Sequence, residues 1–132
     1  MTVFVDTSAF YAIFDRDDAG HPAADKAWKR LLVEPVALLT SNYVLIETSA
    51  LLQHRLGIAA LRAFHEDIVP VLTVEWVSEA VHRAAVEATL TAARKKLSLV
   101  DCASFHIMRT SGVETAFCFD QHFREQGFAI VP

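Results

Sequence analysis

The sequence has few of the residues that break, cross-link or interrupt a fold. Its 132 residues include four glycines, four prolines and two cysteines. This composition excludes a collagen-like or low-complexity chain and a disulfide-rich secreted domain. Cys102 and Cys118 stand among apolar neighbours without metal-ligand spacing. We therefore expect both to be small buried side chains in a reducing cytoplasm.

The chain also lacks a long hydrophobic run and an excess of positive charge. No stretch approaches the roughly 18 consecutive apolar residues that a membrane span needs. The first residues carry no basic segment of the kind that opens an export signal. We therefore expect a cytoplasmic protein without membrane association. The formal net charge of −4 argues against a broad basic face for nucleic acid, but it is compatible with a local one.

Apolar residues are abundant instead. They make up 53% of the chain, and the mean hydropathy is +0.30. An average domain has an apolar fraction of about 45–50%, even when glycine is counted as apolar. The excess predicts an apolar surface that a second subunit or another partner covers. The length fits one domain over residues 1–132.

Short apolar runs alternate with segments of helical periodicity, and this alternation indicates a parallel sheet with helices on both faces. We expect an α/β fold with four to five central strands. The predicted strands are 3–5, 36–39, 69–74, 116–119 and 128–131. The predicted helices are 8–15, 22–32, 42–56, 58–68, 77–93 and 99–110, with a short helical stretch after 120. Gly57 separates two of these helices, which should form a helical hairpin.

Two aspartates follow predicted strands directly. Asp6 ends the first strand and Asp120 ends the strand at 116–119. Ligands of open α/β sheets bind beyond the carboxyl ends of the strands. Each aspartate is equally suited to capping the helix that follows it. Capping does not exclude ligand binding, so both interpretations stay open.

Two further acids stand within apolar helical segments. Glu47 should be partly buried, and a buried carboxylate needs a partner. That partner is either a base such as Arg55 or Arg62, or a cation shared with other carboxylates. Asp101 stands three residues after Ser98, which is the spacing of a capping box. Its helix is so apolar that Asp101 should open onto the interior end of the fold.

The four acids are expected to share one site, because helix starts and strand ends meet at one edge of such a sheet. Carboxylates that lie so near to each other repel one another unless a cation is present. Oxygen ligands without thiolate or imidazole suit Mg²⁺ or Mn²⁺. An ion of this kind activates water and neutralises charge on a phosphodiester. The predicted acidic cluster consists of Asp6, Glu47, Asp101 and Asp120.

These segments, taken in order, resemble the motifs of PIN-domain ribonucleases over essentially the whole chain. The opening motif is Asp6-Thr7-Ser8, and Glu47 is similar to the family's internal acid. Asp101 ends a Ser-x-x-Asp segment, and Asp120 stands in the last acidic motif. A single domain of this length looks most like the VapC-type toxins of type II toxin–antitoxin pairs.

The resemblance implies a three-layer α/β/α PIN-like fold and an endoribonuclease that cleaves RNA by metal-activated water, using Mg²⁺ or Mn²⁺. Asp6 and Asp101 would be the principal metal ligands, while Glu47 and Asp120 would complete the catalytic pocket. Thr7 or Ser8 would bind substrate by orienting a water or a phosphate oxygen. The family is often homodimeric, and a small antitoxin neutralises it by occupying the active-site groove.

Other interpretations remain open at this stage. A PIN nuclease could serve housekeeping RNA processing without an antitoxin. A non-catalytic interaction module would explain the apolar excess but would leave four interior acids without a purpose. His122, beside Phe119 and Phe123, is either a packed side chain or a residue that acts on a substrate phosphate. The basic residues 94–96 are either a local margin for RNA or a solvated helix end.

Overall fold

The structure, a computed structural model, describes residues 1–132 and contains one five-stranded sheet. Every neighbouring pair of strands is parallel. The strands, in spatial order, are β3 (Thr73–Glu75), β2 (Ala37–Ser41), β1 (Thr2–Val5), β4 (Thr115–Phe117) and β5 (Ala129–Val131). This arrangement confirms the predicted α/β fold and its strand number.

Seven α-helices connect the strands. They fall into two packed groups, in which α1 contacts α2 and α3, and α5 contacts α6. Their bounds are α1 Thr7–Phe14, α2 His21–Val33, α3 Asn42–Leu56, α4 Ile58–Ala63, α5 Glu79–Ala92, α6 Leu99–Thr110 and α7 Gln121–Glu125. None of them combines the length and the hydrophobicity needed to cross a bilayer.

The strand order places a topological switch point between β1 and β4. The chain moves outward from β1 through β2 to β3, and then returns to the other side of β1 with β4. Val5 pairs with Phe117 at the carboxyl ends of the two central strands. The ladder continues one residue further, because the backbone N–H of Asp6 donates to the carbonyl oxygen of Phe117 at 3.1 Å. A switch point of this kind is where open α/β sheets bind ligands.

The helical hairpin is present, and Gly57 forms its corner. Gly57 has a φ of +94°, a backbone conformation that side chains with a Cβ rarely adopt. Its N–H donates to the carbonyl oxygen of Leu52, which ends α3. α4 begins at the next residue.

The structure corrects the prediction for residues 58–74. α4 ends at Ala63, a π-helical turn covers Phe64–Ile68, and a 3-10 turn covers Val69–Val71. The strand begins only at Thr73, although the apolar run predicted it from residue 69. Pro70 lacks an N–H and cannot donate to a ladder, which keeps the residues around it out of the sheet. β4 is also shorter than predicted, so residues 118 and 119 form a link between β4 and Asp120.

Although α7 has only five residues, it is held in place by contacts with the core. Phe123 of α7 is fully buried. Its ring meets that of Phe105 of α6 edge-on, with centroids 4.9 Å apart, and lies 6.5 Å from that of Phe4 of β1. A five-residue helix is too short to be stable alone. These contacts therefore hold the start of α7, where Asp120 stands.

Replacing Phe123 by alanine should destabilise the protein by about 3–5 kcal/mol, because it removes a fully buried ring from the junction of α6, α7 and β1. Chemical denaturation of the two proteins measures this difference. Phe119→Ala is the matched control, since its ring is 38% exposed and should cost about 1 kcal/mol or less. Equal losses in the two variants would contradict this account of how α7 is anchored.

Candidate active site

Asp6 stands at the junction of β1 and α1, and it caps the helix. Its Oδ2 accepts hydrogen bonds from the Ser8 backbone N–H at 3.2 Å and from the Ser8 hydroxyl at 2.7 Å. The side chain is buried, with only 4% of the residue exposed. The Ser8 hydroxyl also accepts from the N–H of Phe119 at 2.9 Å. Ser8 therefore ties Asp6 to the segment that follows β4.

Asp101 forms the predicted capping box at the start of α6. The Ser98 hydroxyl accepts from the Asp101 N–H, and Asp101 Oδ2 accepts from the Ser98 N–H, both at 3.0 Å. Asp101 is 8% exposed. The following turns of α6 are buried as well, so this carboxylate lies at the interior end of the fold as predicted.

Asp120 caps α7 in the same manner. Its Oδ1 accepts from the N–H of His122 at 2.9 Å. In Asp6, Asp101 and Asp120 alike, one carboxylate oxygen holds a helix start and the other has no hydrogen bond to the protein. Capping and ligand binding are therefore compatible in this structure, since each carboxylate has more acceptor sites than its helix cap uses.

Glu47 lies within α3, half-buried and without an ion pair. The bases considered as its partners are engaged elsewhere. Arg62 pairs with Glu66 at 3.2 Å, and the Arg55 guanidinium lies over the Tyr11 ring, 5.4 Å from its centroid. The salt-bridge interpretation of Glu47 is thus wrong, and no protein cation pairs with this carboxylate.

The electrostatics place the four acids in one cluster. Burial raises the pKa of Asp6 from 3.8 to about 7, against hydrogen bonds from Ser8 that lower it, and the charges of Asp101 and Glu47 raise it further. Burial likewise raises the pKa of Glu47, with added repulsion from Asp101 and Asp120. The pKa of Asp101 is raised by burial and by Asp120. The structure therefore brings together all four predicted acids.

Thr7 and Ser8 support this cluster. The Thr7 hydroxyl accepts from the Thr48 hydroxyl at 3.0 Å, and its hydrogen bond lowers the pKa of Glu47. The Ser8 hydroxyl already donates to Asp6 and accepts from Phe119. Their expected contact with substrate stays a prediction.

His122 is packed, with 17% of its side chain exposed, but it also faces the acidic cluster, where no metal-binding role was predicted for it. Its Nδ1 atom lies 2.9 Å from Asp120 Oδ1 and 3.9 Å from Asp101 Oδ2. One ligand atom from each of these three residues falls within 4.8 Å of the other two. The signal in the sequence was a histidine two residues after a helix-capping aspartate, which places its ring over the same helix start.

The donor set suits a divalent cation. Carboxylate oxygens that mutually raise their pKa values are stabilised by a positive ion between them. Oxygen donors of this type bind Mg²⁺ and Mn²⁺. The buried Nδ1 of His122 has no hydrogen-bond partner in the protein, which leaves it free to face an ion or a water. The site therefore fits a metal on its own chemistry.

A parallel α/β fold with buried carboxylates at its switch point defines a class of metal-dependent nucleases. The family described as PIN domain matches residues 3–129. The chain belongs to the PIN-domain family, and the predicted class, a metal-dependent ribonuclease, is confirmed by this membership.

Similarity extends along the whole chain to characterised relatives. The 23S rRNA-specific endonuclease VapC20 of Mycobacterium tuberculosis is 36% identical over 130 residues, which are 98% of this chain and 97% of that protein. The crystal structure of M. tuberculosis VapC20, described as a sarcin–ricin loop cleaving toxin, superposes with a TM-score of 0.88, 34% identity and coverage of 98% and 99%. FitAcB from Neisseria gonorrhoeae shares the fold, with a TM-score of 0.69, 15% identity and coverage of 100% and 97%.

In the absence of divalent cations, the free energy of unfolding should fall as the pH rises from 5 to 8. In this range unfolded Asp6 is ionised, whereas folded Asp6 keeps its proton up to a pKa of about 7. The folded state therefore binds more protons, so raising the pH disfavours it. Denaturation in a chelator at successive pH values measures this slope.

The Asp6→Asn substitution should flatten that slope and stabilise the metal-free protein at pH 8 by roughly 1–3 kcal/mol, since asparagine still caps the helix. Asp25→Asn is the control. Lys29 lowers the pKa of the exposed Asp25, so this carboxyl titrates below the tested range. An Asp6→Asn protein with the wild-type slope would contradict the assignment.

Proposed function

We propose that this chain is an endoribonuclease toxin of a type II toxin–antitoxin pair, and that it cleaves the sarcin–ricin loop of 23S rRNA. The observation that carries the proposal is the cluster of four carboxylates at the switch point of one PIN domain. VapC20 supports the substrate, because this chain resembles it over nearly the full length of both proteins.

Four side chains are assigned the catalytic work. Asp6 and Asp101 would be the principal ligands of Mg²⁺ or Mn²⁺, and Glu47 and Asp120 would complete the pocket directly or through water. When bound, the ion supplies an activated water and neutralises charge on the scissile phosphate. The helix caps hold the three aspartates in place before the ion or the RNA arrives.

Thr7 and Ser8 are assigned to positioning. Thr7 lowers the pKa of Glu47 and so favours its ionised form, and Ser8 holds Asp6 by a hydrogen bond. Their place at the start of α1 puts them beside the acids, where either hydroxyl could orient a water or a phosphate oxygen of the substrate.

The chain offers a local basic margin for the RNA backbone. Residues 94–96 lead into Ser98, which caps the helix that carries Asp101. Arg94 pairs with Glu125 of α7 at 3.1 Å, which ties this segment to the helix that Asp120 caps. Lys95 and Lys96 are exposed and form no ion pair. They would supply positive charge to the phosphates of a bound RNA.

Exposed apolar side chains support the partners that we propose, a second copy of the chain and a small antitoxin. Large hydrophobic residues that are more than two-thirds exposed include Val33, Ile46, Trp76 and Leu90. A monomer gains nothing from such surface, whereas an interface does. Both cysteines are buried and free, as suits the reducing cytoplasm in which we place the reaction.

The Asp6→Asn and Asp101→Asn proteins should fold, because asparagine keeps the helix cap. Each should cleave RNA roughly a hundredfold more slowly than the wild type, because it has lost a metal ligand. Cleavage of labelled RNA with Mn²⁺, Mg²⁺ or EDTA measures the loss. Asp67→Asn removes an exposed carboxylate elsewhere and should cleave normally. Cleavage by wild-type protein in EDTA would overturn the metal-dependent assignment.

The proposed substrate predicts one dominant cut in 23S rRNA, within the sarcin–ricin loop. Primer extension on ribosomes treated with the purified protein locates the cut. An RNA hairpin with the loop sequence should be cleaved, while a hairpin of the same stem with a scrambled loop should not. Equal cleavage of both hairpins, or cuts spread over messenger RNA, would favour a general PIN nuclease.

A housekeeping nuclease is separated from a toxin by its effect on growth. Expression of the toxin should arrest growth, the Asp101→Asn protein should not, and co-expression of a short protein encoded beside it should restore growth. Normal growth with active wild-type protein would favour the housekeeping alternative.

A further inference from the structure

The imidazole of His122 contains the only buried side-chain nitrogen or oxygen atom of the chain without a hydrogen-bond partner. This atom is Nδ1. Its separation from Asp120 Oδ1 is 2.9 Å, but the orientation of the ring does not make a hydrogen bond to that oxygen. A buried polar atom without a partner is unfavourable. In a native fold such an atom calls for a ligand that the protein alone does not supply.

We propose that Nδ1 of His122 is a nitrogen ligand of the active-site metal, and that it makes this site prefer Mn²⁺ to Mg²⁺. The inference rests on the proposed function, because it concerns the ion that the four carboxylates hold. It adds a fifth side chain, of a different donor type, to the ligands expected from the sequence.

The distances fit ligands of one ion. An octahedral ion with bonds of about 2.1 Å separates neighbouring ligand atoms by about 3 Å and opposite ones by about 4 Å. Nδ1 lies 2.9 Å from Asp120 Oδ1 and 3.9 Å from Asp101 Oδ2. Each of these oxygens also accepts one backbone N–H and keeps a second lone pair for an ion. All three ligand atoms fall within 4.8 Å of one another. The imidazole therefore needs no rearrangement to join the two aspartates.

The fold also fixes the ring in this orientation. His122 lies in the first turn of α7, and its own N–H is held by the capping oxygen of Asp120 at 2.9 Å. The next residue, Phe123, is fully buried against the core. The His122 side chain is only 17% exposed. Because the backbone N–H of His122 and the side chain of the next residue are both held, the imidazole is better preorganised to bind an ion than a ligand on a mobile loop would be.

A nitrogen donor changes which ion the site favours. Mg²⁺ takes oxygen ligands and keeps several waters, whereas first-row transition ions accept imidazole readily. Asp6, Glu47, Asp101 and Asp120 offer oxygen alone and do not favour Mn²⁺ strongly. One imidazole in place of a water gives Mn²⁺ an interaction that Mg²⁺ uses poorly.

The direct test is the electron paramagnetic resonance of Mn²⁺ bound to the full-length protein. Pulsed spectra of the wild type should show coupling to a directly bound ¹⁴N nucleus, and the coupling should change to the ¹⁵N pattern when histidine is labelled with ¹⁵N. This measurement needs no variant, so it does not depend on whether a substitution is tolerated. Bound Mn²⁺ without nitrogen coupling would overturn the inference and leave the carboxylate site intact.

Calorimetric titration with Mn²⁺ and with Mg²⁺ gives the second measurement. In His122→Asn, an amide oxygen takes the place of Nδ1, so Mn²⁺ affinity should fall by roughly tenfold while Mg²⁺ affinity stays within about threefold. His106→Asn, in the groove between α5 and α6, should keep both affinities and the nitrogen coupling. If His122→Asn lowered the affinities for Mn²⁺ and Mg²⁺ equally, the proposed preference for Mn²⁺ would be wrong.

The Asp101→Asn protein separates this inference from the proposed function. It should lose affinity for both ions, because it removes a principal oxygen ligand. If wild-type and Asp101→Asn proteins bind Mn²⁺ equally, or if neither binds it, then the metal site itself is wrong. If Asp101→Asn loses both ions but the wild type shows no nitrogen coupling, only the role of His122 is wrong.

Discussion

Three helices of this protein have an aspartate at the N-cap or in the first turn that accepts a backbone N–H through one carboxylate oxygen and leaves the other oxygen without a hydrogen bond to the protein. The backbone N–H groups and the positive helix ends stabilise each negative charge, and they fix where it lies. Without this arrangement Asp6, Asp101 and Asp120 would repel one another into other rotamers. The site depends on it, because the same hydrogen bonds that begin α1, α6 and α7 also aim their aspartates.

This arrangement is costly for the metal-free protein. Burial and mutual repulsion raise the pKa values of Asp6, Glu47 and Asp101, so without a cation these groups resist the ionised state that a metal needs. The cost is tolerated because β1, β4 and α6 supply a dense apolar core directly below the acids. Functional sites commonly hold strain that the surrounding fold offsets. A cation bound here would stabilise both the charges and the fold.

The fold itself tolerates large changes of sequence. FitAcB shares the fold at 15% identity, so most side chains can differ while the sheet order and the switch point stay the same. β1 and β4 are neighbours because the chain builds the sheet outward from β1 to β3 and then returns to the other side of β1. Their carboxyl ends are therefore adjacent. An acid directly after β1 therefore lies close to an acid directly after β4.

Local sequence determined the helix caps and the order of strands and helices, since each depends on residues a few positions apart. It also indicated the four acids, but their meeting depends on the sheet topology. Ser98 with Asp101, and Gly57 after α3, are signals of this kind. Tertiary structure alone decided the rest. The π-helical turn at 64–68 and the late start of β3 follow from packing around Phe64 and from Pro70. His122 joined the site because Phe123 is pulled into the core, and no local pattern encodes a contact between α7 and β1.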